Sequence, residues 1–315
     1  MHVLDAQHTP VMMEEVLEGL AVRSGGAYVD CTVGEGGHSL AILSAAPEVR
    51  LLGIDLDSQA LERARRRLGG HGDRVRLAQG NFAEVGAISE RHQFGPADGV
   101  LLDLGLSSLQ VDSDTRGFSF RRSARLDMRF DPASEKTAYR VVNESTEEDL
   151  AEILRRFGEE RRARRISREI VRGRPIETTT QLAALVAGLA GPSRRGRIHP
   201  ATRAFQAIRM AVNSEIENLA SGLIQGIQTL ADGGRMAVIS YHSVEDRVVK
   251  ETFRREASDC ICPPTTPECI CGHEPTIRRV NRRVIKPARS EVQANPRSRS
   301  ARLRVAERVP GPAGE

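Results

Sequence analysis

Residues 27–39 read AYVDCTVGEGGHS: a short apolar run, a glycine-rich turn, then the start of a helix. Glycine accepts positive φ and lets a ligand approach the main chain, so Gly34, Gly36 and Gly37 suit a ligand-binding turn. The helix that follows points its free N–H groups at the same place. A second apolar run, LLGID at 51–55, ends in Asp55, about twenty residues on, where a carboxylate can accept both hydroxyls of a ribose. Each feature alone is common in α/β proteins, and Asp55 alone could cap a turn. Together they point to an adenosine-containing cofactor. The dinucleotide pattern wants a glycine where Ser39 stands, and no Gly-Lys-Ser/Thr follows for a P-loop. S-adenosylmethionine carries no phosphate, and Asp30, Glu35 and His38 are at hand for its ammonium and carboxylate.

Working outward, strands are predicted at 27–32, 51–55, 75–79, 99–104 and 235–241, with helices over 39–45, 59–68 and 244–254. Short apolar runs separated by helical segments argue for a parallel sheet covered on both faces. Late apolar residues, Val284, Ile285, Leu303 and Val305, are candidates for closing strands. Between 112 and about 196 no strand pattern stands out. Ser145-Thr146-Glu147-Glu148 reads as a capping box opening a helix at Leu150. A helix over 181–189 is expected to stop at Gly191-Pro192. After Pro200, Phe205, Ile208, Val212, Ile216, Leu219 and Leu223 recur at helical spacing and predict one long amphipathic helix. The expected organisation is an α/β core over 1–111 and 213–309, an all-helical insertion for substrate recognition over 112–212, and a disordered tail at 310–315.

LLDLGLSS at 101–108 ends the fourth predicted strand and places Asp103 at the carboxyl edge of the sheet, where open parallel sheets do their chemistry. An exocyclic base amine is a poor nucleophile, because its lone pair is delocalised into the ring. An oxygen that accepts its N–H helps to localise that pair, and Asp103 is the candidate acceptor; a turn-capping role is the alternative. Methylation at carbon 5 would need a cysteine nucleophile, generally after proline; Cys31 has no such context. Phe82 could stack on an adenine or simply fill the core. His242, after the fifth strand, could line the substrate pocket, shuttle a proton, or be structural.

The 315 residues are 39% hydrophobic and 28% charged, with no apolar run long enough to span a bilayer. Residues 1–10 carry no apolar signal core, so a cytoplasmic protein without membrane association is expected. Net charge is only +4, but arginine crowds 155–168 and 278–304. Such patches suit a polyanion, while interspersed Glu159, Glu160 and Glu169 allow a salt-bridged surface instead. Of five cysteines, Cys260, Cys262, Cys269 and Cys271 form a tight cluster. No catalytic metal is expected. The cluster is a candidate for a structural ion, with free thiols or a disulfide as alternatives.

Several blocks are long and unusual: HTPV at 8–11, GEGGHS at 34–39, LLDLGLSS at 101–108, RGFSF at 116–120 and LDMRFD at 126–131. FGEER at 157–161, HPATRAFQAIRMAVNSE at 199–215, ISYHSVEDR at 239–247 and NPRSRSARLRVAER at 295–308 continue the series. Through them nearly the whole chain resembles the 16S ribosomal RNA cytosine-N4 methyltransferases called RsmH, formerly MraW. The resemblance implies a Rossmann-like class I core dependent on S-adenosylmethionine, with a helical insertion. It implies methylation of a cytidine N4 amine in the decoding region of the small ribosomal subunit, position 1402 in conventional rRNA numbering.

The family's cofactor contacts map onto Gly36, Gly37, His38, Asp55, Phe82, Asp103 and Gln110. Substrate candidates are Arg116, Phe118, Phe120, Arg129, His199, Arg203 and Asn213, with Arg121, Arg122, Arg125 and Asp127 beside them. Interleaved charge and aromatics suit single-stranded RNA, and the target base must be splayed out, so a cleft between core and insertion is expected. The family is also similar to proteins that dimerise; the sequence itself shows no homodimer. The rival readings are a methyltransferase of another substrate class and a non-catalytic RNA-binding assembly factor.

Overall fold

Successive residues of the inner strands point to opposite faces, and both sets are apolar. Ala27, Val29, Leu52, Ile54, Val100, Leu102, Met236 and Val238 enter one core; Tyr28, Leu51, Leu101, Ala237 and Ile239 enter the other. A strand that is apolar on both sides must be covered on both sides. The computed structural model, which describes residues 10–105, 116–189, 199–263 and 265–310, shows that arrangement. The strands are β1 (Ala27–Asp30), β2 (Arg50–Asp55), β3 (Val75–Gln79), β4 (Ala97–Asp103), β5 (Leu230–Ser240), β6 (Ile277–Arg279) and β7 (Arg302–Arg308). Their order is β3-β2-β1-β4-β5-β7-β6. β1 to β5 pair in parallel, while β7 runs antiparallel to both neighbours. This is a Rossmann-like α/β core.

Helices α1 (Met13–Leu20), α2 (Gly37–Ala45) and α3 (Ser58–Leu68) cover one face through Val16, Leu20, Ile42, Leu43, Leu61 and Leu68. Helices α4 (Val85–Arg91), α10 (Glu215–Thr229) and α11 (Ser243–Glu256) cover the other through Val85, Ile88, Leu219, Leu223, Val249 and Phe253. Each fully buried leucine or isoleucine contributes about 1.5–3 kcal/mol relative to exposure. β1 sits where the strand order reverses, with β2 to one side and β4 to the other. The carboxyl ends of these strands therefore open a crevice, the usual ligand position in such sheets.

The chain divides into two compact units, Met1–Gly105 with Glu217–Glu315, and Leu106–Ile216. The sequence put the joints after 111 and 212. In the second unit α5 (Ala138–Glu144), α6 (Glu147–Gly158), α7 (Ala163–Arg172), α8 (Thr179–Gly188) and α9 (Ala201–Val212) enclose Leu126, Met128, Leu150, Leu154, Ile166 and Ile208. Pairing between strands is limited here to a bridge between Arg125 and Thr178 among the described residues.

Four local expectations are corrected. The long helix after Pro200 is two helices, α9 and α10, broken at Asn213 and Ser214, whose φ is +49°. The break has a chemical reason: Asn213 Oδ1 accepts the Phe130 N–H at 2.7 Å, and its amide donates to Met128 O at 2.8 Å. The apolar spacing ran through because both helices bury a face. Second, α6 starts at Glu147, not Leu150, because Thr146 is its cap, accepting from the Asp149 N–H. Third, α8 ends at Gly188, and Gly191-Pro192 lies outside the described residues, as does 311–315 of the expected tail. Fourth, Val284 joins no strand and Ile285 makes a single bridge to Leu303. The outer strand is β6, whose polar Ile-Arg-Arg gave no strand pattern.

Much of the arginine is structural. Arg302 and Arg304 clamp Asp246, while Arg235 and Arg278 hold Glu307. In the second unit Arg168 meets Glu147 and Arg172 meets Glu169.

Candidate active site

Three parallel strands end in carboxylates on one edge of the sheet: Asp30 on β1, Asp55 on β2 and Asp103 on β4. β1 lies between the other two. Neighbouring strands stand about 4.8 Å apart, so the three acids share one rim. The turn after β1 is folded onto this rim. Gly34, at φ +51°, donates its N–H to Asp55 Oδ2 at 2.8 Å, and the Asp57 N–H donates to Oδ1 at 2.9 Å. Gly36, at φ +80°, is the left-handed cap of α2. Gly37 is glycine for packing, since a Cβ there would stand 2.8 Å from Pro10 Cγ.

Asp103 is gripped from two sides. Tyr241 donates its hydroxyl to Oδ1 at 2.8 Å, and Thr32 Oγ1 accepts the Asp103 main-chain N–H at 2.7 Å. Its Oδ2 stands 3.5 Å from His38 Nε2, an ion-pair distance rather than a well-made hydrogen bond. Among the described residues that buried nitrogen has no closer polar partner. Asp30 is fully buried, accepting from Ser39 Oγ at 2.6 Å and from the Thr32 N–H at 3.2 Å.

These contacts set the ionisation. Burial pushes the Asp55 carboxyl up to about 6, against the pull of the Asp57 and Gly34 N–H groups. Burial also raises Asp30, opposed by Ser39. Burial disfavours the His38 imidazolium, but Asp103, Asp30 and Glu291 outweigh it and leave His38 above its ordinary value. Burial, then the charge of Asp103, drives Tyr241 well upward, so its hydroxyl stays a donor. Cys31, buried in the core beside Asp30, is likewise raised well above the ordinary range and is inert as a nucleophile.

Of the sequence candidates, the fold therefore brings Gly36, His38, Asp55 and Asp103 to one strand edge. Glu35 instead lies 3.5 Å from Arg63 of α3. Phe82 is half-buried and packs on α10, where a Cβ on Gly222 would stand 2.5 Å from its ring. His242 caps α11, its Nδ1 3.1 Å from Glu245 Oε2. Gln110 and the Leu106–Ser108 part of its motif lie outside the described residues. Sequence reasoning missed Thr32, Tyr241 and Glu291. Thr32 and Tyr241 follow apolar strands, a signal that could have found them. Glu291, which accepts the Met12 N–H at 2.8 Å, carries no local signal.

The second unit gathers the substrate candidates by itself. Phe120 meets His199 and Phe205 at 4.7 and 4.9 Å between ring centroids, and Phe118 stacks on Phe130 at 5.6 Å. Arg116 lies over Phe118 and donates to the carbonyls of Arg129 and Phe130. Arg129 forks onto Asp127 at 2.7 and 2.8 Å, which outweighs burial and holds that carboxyl below its ordinary value. Arg116, Arg129 and Asn213 thus build the loop through their own hydrogen bonds. His199 Nδ1 accepts the Ala201 N–H, and Arg203 stays exposed.

A positive-φ glycine turn, a ribose-type acid and a buried imidazole nitrogen whose contact with Asp103 is a long 3.5 Å fit an adenosyl ligand that also carries a carboxylate. Comparison with known proteins agrees. The Ribosomal RNA small subunit methyltransferase H of Thermomicrobium roseum is 53% identical over 310 residues, 97% of this chain and 95% of that one. The protein of the same name from Dehalococcoides mccartyi is 50% identical over 308 residues, 98% and 88% of the two chains. A family model described as the MraW methylase family matches residues 5–309. The methyl donor of these methylases is S-adenosylmethionine. With a match over nearly its whole length, the chain belongs to the MraW methylase family.

Proposed function

We propose that this protein transfers a methyl group to the exocyclic N4 amine of a cytidine in the decoding region of 16S rRNA, position 1402 in conventional rRNA numbering. The substrate class follows the names of its close relatives, small-subunit rRNA methyltransferases. The chemistry rests on one observation: Asp103 stands at the strand edge with Oδ1 held by Tyr241 and Oδ2 facing His38. A carboxylate fixed in this way can accept an amine N–H and draw the nitrogen lone pair out of conjugation. S-adenosylmethionine, when bound, supplies an electrophilic methyl on a sulfonium. Asp55 would accept its ribose hydroxyls, Gly36 and Gly37 would admit its backbone, and His38 would face its carboxylate. Gln110 and Phe82 complete the proposed cofactor set.

The helical unit, 112–212 in the sequence-based division, is assigned to substrate recognition. Phe118, Phe120 and His199 offer rings for unstacked bases, Arg203 offers exposed charge, and Arg116, Arg129 and Asn213 hold the loop that presents them. His242 is assigned a structural role at the cap of α11.

Mass spectrometry of small-subunit rRNA from cells lacking the protein tests the reading. Loss of one N4-methylcytidine-type modification, restored by the wild-type chain and not by Asp103→Ala, is expected. An unchanged rRNA would leave methylation of another substrate class. Modification restored by Asp103→Ala would remove Asp103 from the chemistry.

A further inference from the structure

Between α11 and β6 the chain makes an excursion of some twenty residues, 257–276, without helix or strand among its described residues. Loops of this length inside a domain need a reason to hold shape. Burial does not provide one here: Ile261 and Ile270 are 40% and 84% exposed. The base of the loop is pinned, since the Thr276 N–H donates to Glu256 O at 2.9 Å and the His273 ring reaches Arg255 O at 3.0 Å. Its outer part gathers around four sulfur atoms, with a single main-chain turn bond, Thr266 N–H to Pro263 O at 2.9 Å, among the described residues.

Cys260, Cys262, Cys269 and Cys271 bring their Sγ atoms within 4.8 Å of one another, and none is in a disulfide. Cys269 and Cys271 stand 3.6 Å apart, and Cys271 and Cys260 3.8 Å. A tetrahedral zinc ion with Zn–S bonds of about 2.3 Å requires S···S separations of about 3.8 Å. Main-chain N–H groups already point at the sulfurs: Ile261 at Cys271 Sγ, 3.5 Å, and Cys262 at Cys260 Sγ, 3.3 Å. Such donors stabilise thiolate rather than thiol. Four exposed or half-exposed thiols converging in this way have no packing explanation, because cysteine that serves a core is buried, as Cys31 is.

We propose that these four cysteines bind one structural zinc ion, which holds the outer part of the 257–276 excursion in shape beyond the end of α11. On binding, the four thiols lose their protons to solvent and four Zn–S bonds form, with no redox change. The ion is remote in role from methyl transfer: its ligands are neither Asp103 nor any neighbour of the acidic strand edge named above.

The full chain, purified under reducing conditions without chelator, should carry one zinc per molecule by elemental analysis. Stripped protein reconstituted with Co(II) should show a thiolate-to-cobalt charge-transfer band and the strong visible bands of a tetrahedral tetrathiolate site. The double variant Cys260→Ser/Cys271→Ser should lose both signals and become cleavable by protease within 257–276, while far-UV circular dichroism and methyl-donor binding stay at the wild-type level. Three results would overturn the proposal: protein without zinc that also gives no tetrahedral cobalt spectrum, stoichiometric iron in place of zinc, or zinc retained by the double variant. Disulfides among the four in freshly isolated, anaerobic protein would overturn it equally.

Discussion

The hydroxyl of Tyr241 donates to Asp103 Oδ1 at 2.8 Å, joining the ends of β4 and β5 at the strand edge that carries the candidate chemistry. The bond fixes which carboxylate oxygen is left for a substrate. It also keeps Asp103 oriented, because a buried tyrosine raised well above its ordinary value remains the donor. Tyr241→Phe removes this bond and little else. A hydrogen bond to a charged group is worth about 1.5–3 kcal/mol, so methyl transfer should fall by about tenfold or more, in kcat rather than in donor affinity. Steady-state kinetics that show only a higher KM for the donor would place Tyr241 in binding instead.

Asp103→Asn keeps an acceptor for Tyr241 and removes the charge beside His38. Loss of a group acting on a proton in the transition state costs about a hundredfold or more. The same variant should lower the His38 titration midpoint, because Asp103 is the leading favourable influence on that imidazolium. NMR titration of the ring carbon protons reads this independently of activity. An unmoved midpoint would mean that the 3.5 Å approach carries no electrostatic weight.

With Asp55 in its proposed role on the donor ribose, donor binding should depend on pH. Its carboxyl is pushed up to about 6 by burial, above the ordinary 3.8. Ionised, it can accept two ribose hydroxyls; protonated, it loses much of that capacity. Donor affinity should therefore decline as pH falls through about 6, approaching about tenfold per unit below it. For the ligand-free fold the sign is opposite. The folded chain holds a proton that the unfolded chain has released between 3.8 and about 6, so this group's contribution to stability declines as pH rises through that window. Calorimetric titrations across pH, with Asp55→Asn as the control that flattens the profile, check the first statement.

Arg209 and Glu215 form a buried fork at 2.7 and 2.8 Å within the helical unit. Burial raises the Glu215 carboxyl, and the Arg209 charge opposes it. Breaking such a pair by removing one partner costs about 3–5 kcal/mol, since a guanidinium is left in a site that excludes water. Glu215→Ala should lower the denaturation midpoint correspondingly, and Arg209→Met/Glu215→Leu should recover much of the loss. Equal destabilisation in both variants would trace the cost to packing.

The sheet was legible because strands buried on both faces must be apolar throughout, and runs such as 51–55 and 99–104 cannot be much else. The glycine turn and Asp55 were legible because a short loop after a strand leaves few conformations. Helix ends were harder. The break at Ser214 sits inside an unbroken apolar period, and only the Asn213 side chain reaching Phe130 and Met128, more than 80 positions away, explains it. β6 was invisible, since an edge strand of Ile-Arg-Arg needs pairing with β7 rather than a pattern of its own.

By itself, the order of residues determined the doubly covered parallel sheet, the glycine turn after its first strand, and the acids that end the strands. All of these follow from local periodicity and from short loops. Only the tertiary structure decided that Tyr241 and Thr32 grip Asp103, that Glu291 acts on His38, that Gly37 is small for Pro10, and that Arg302 and Arg304 clamp Asp246 while Arg235 and Arg278 clamp Glu307. Those pairs lie far apart along the chain, and no spacing rule connects residues that meet only when separate strands and helices close over a common core.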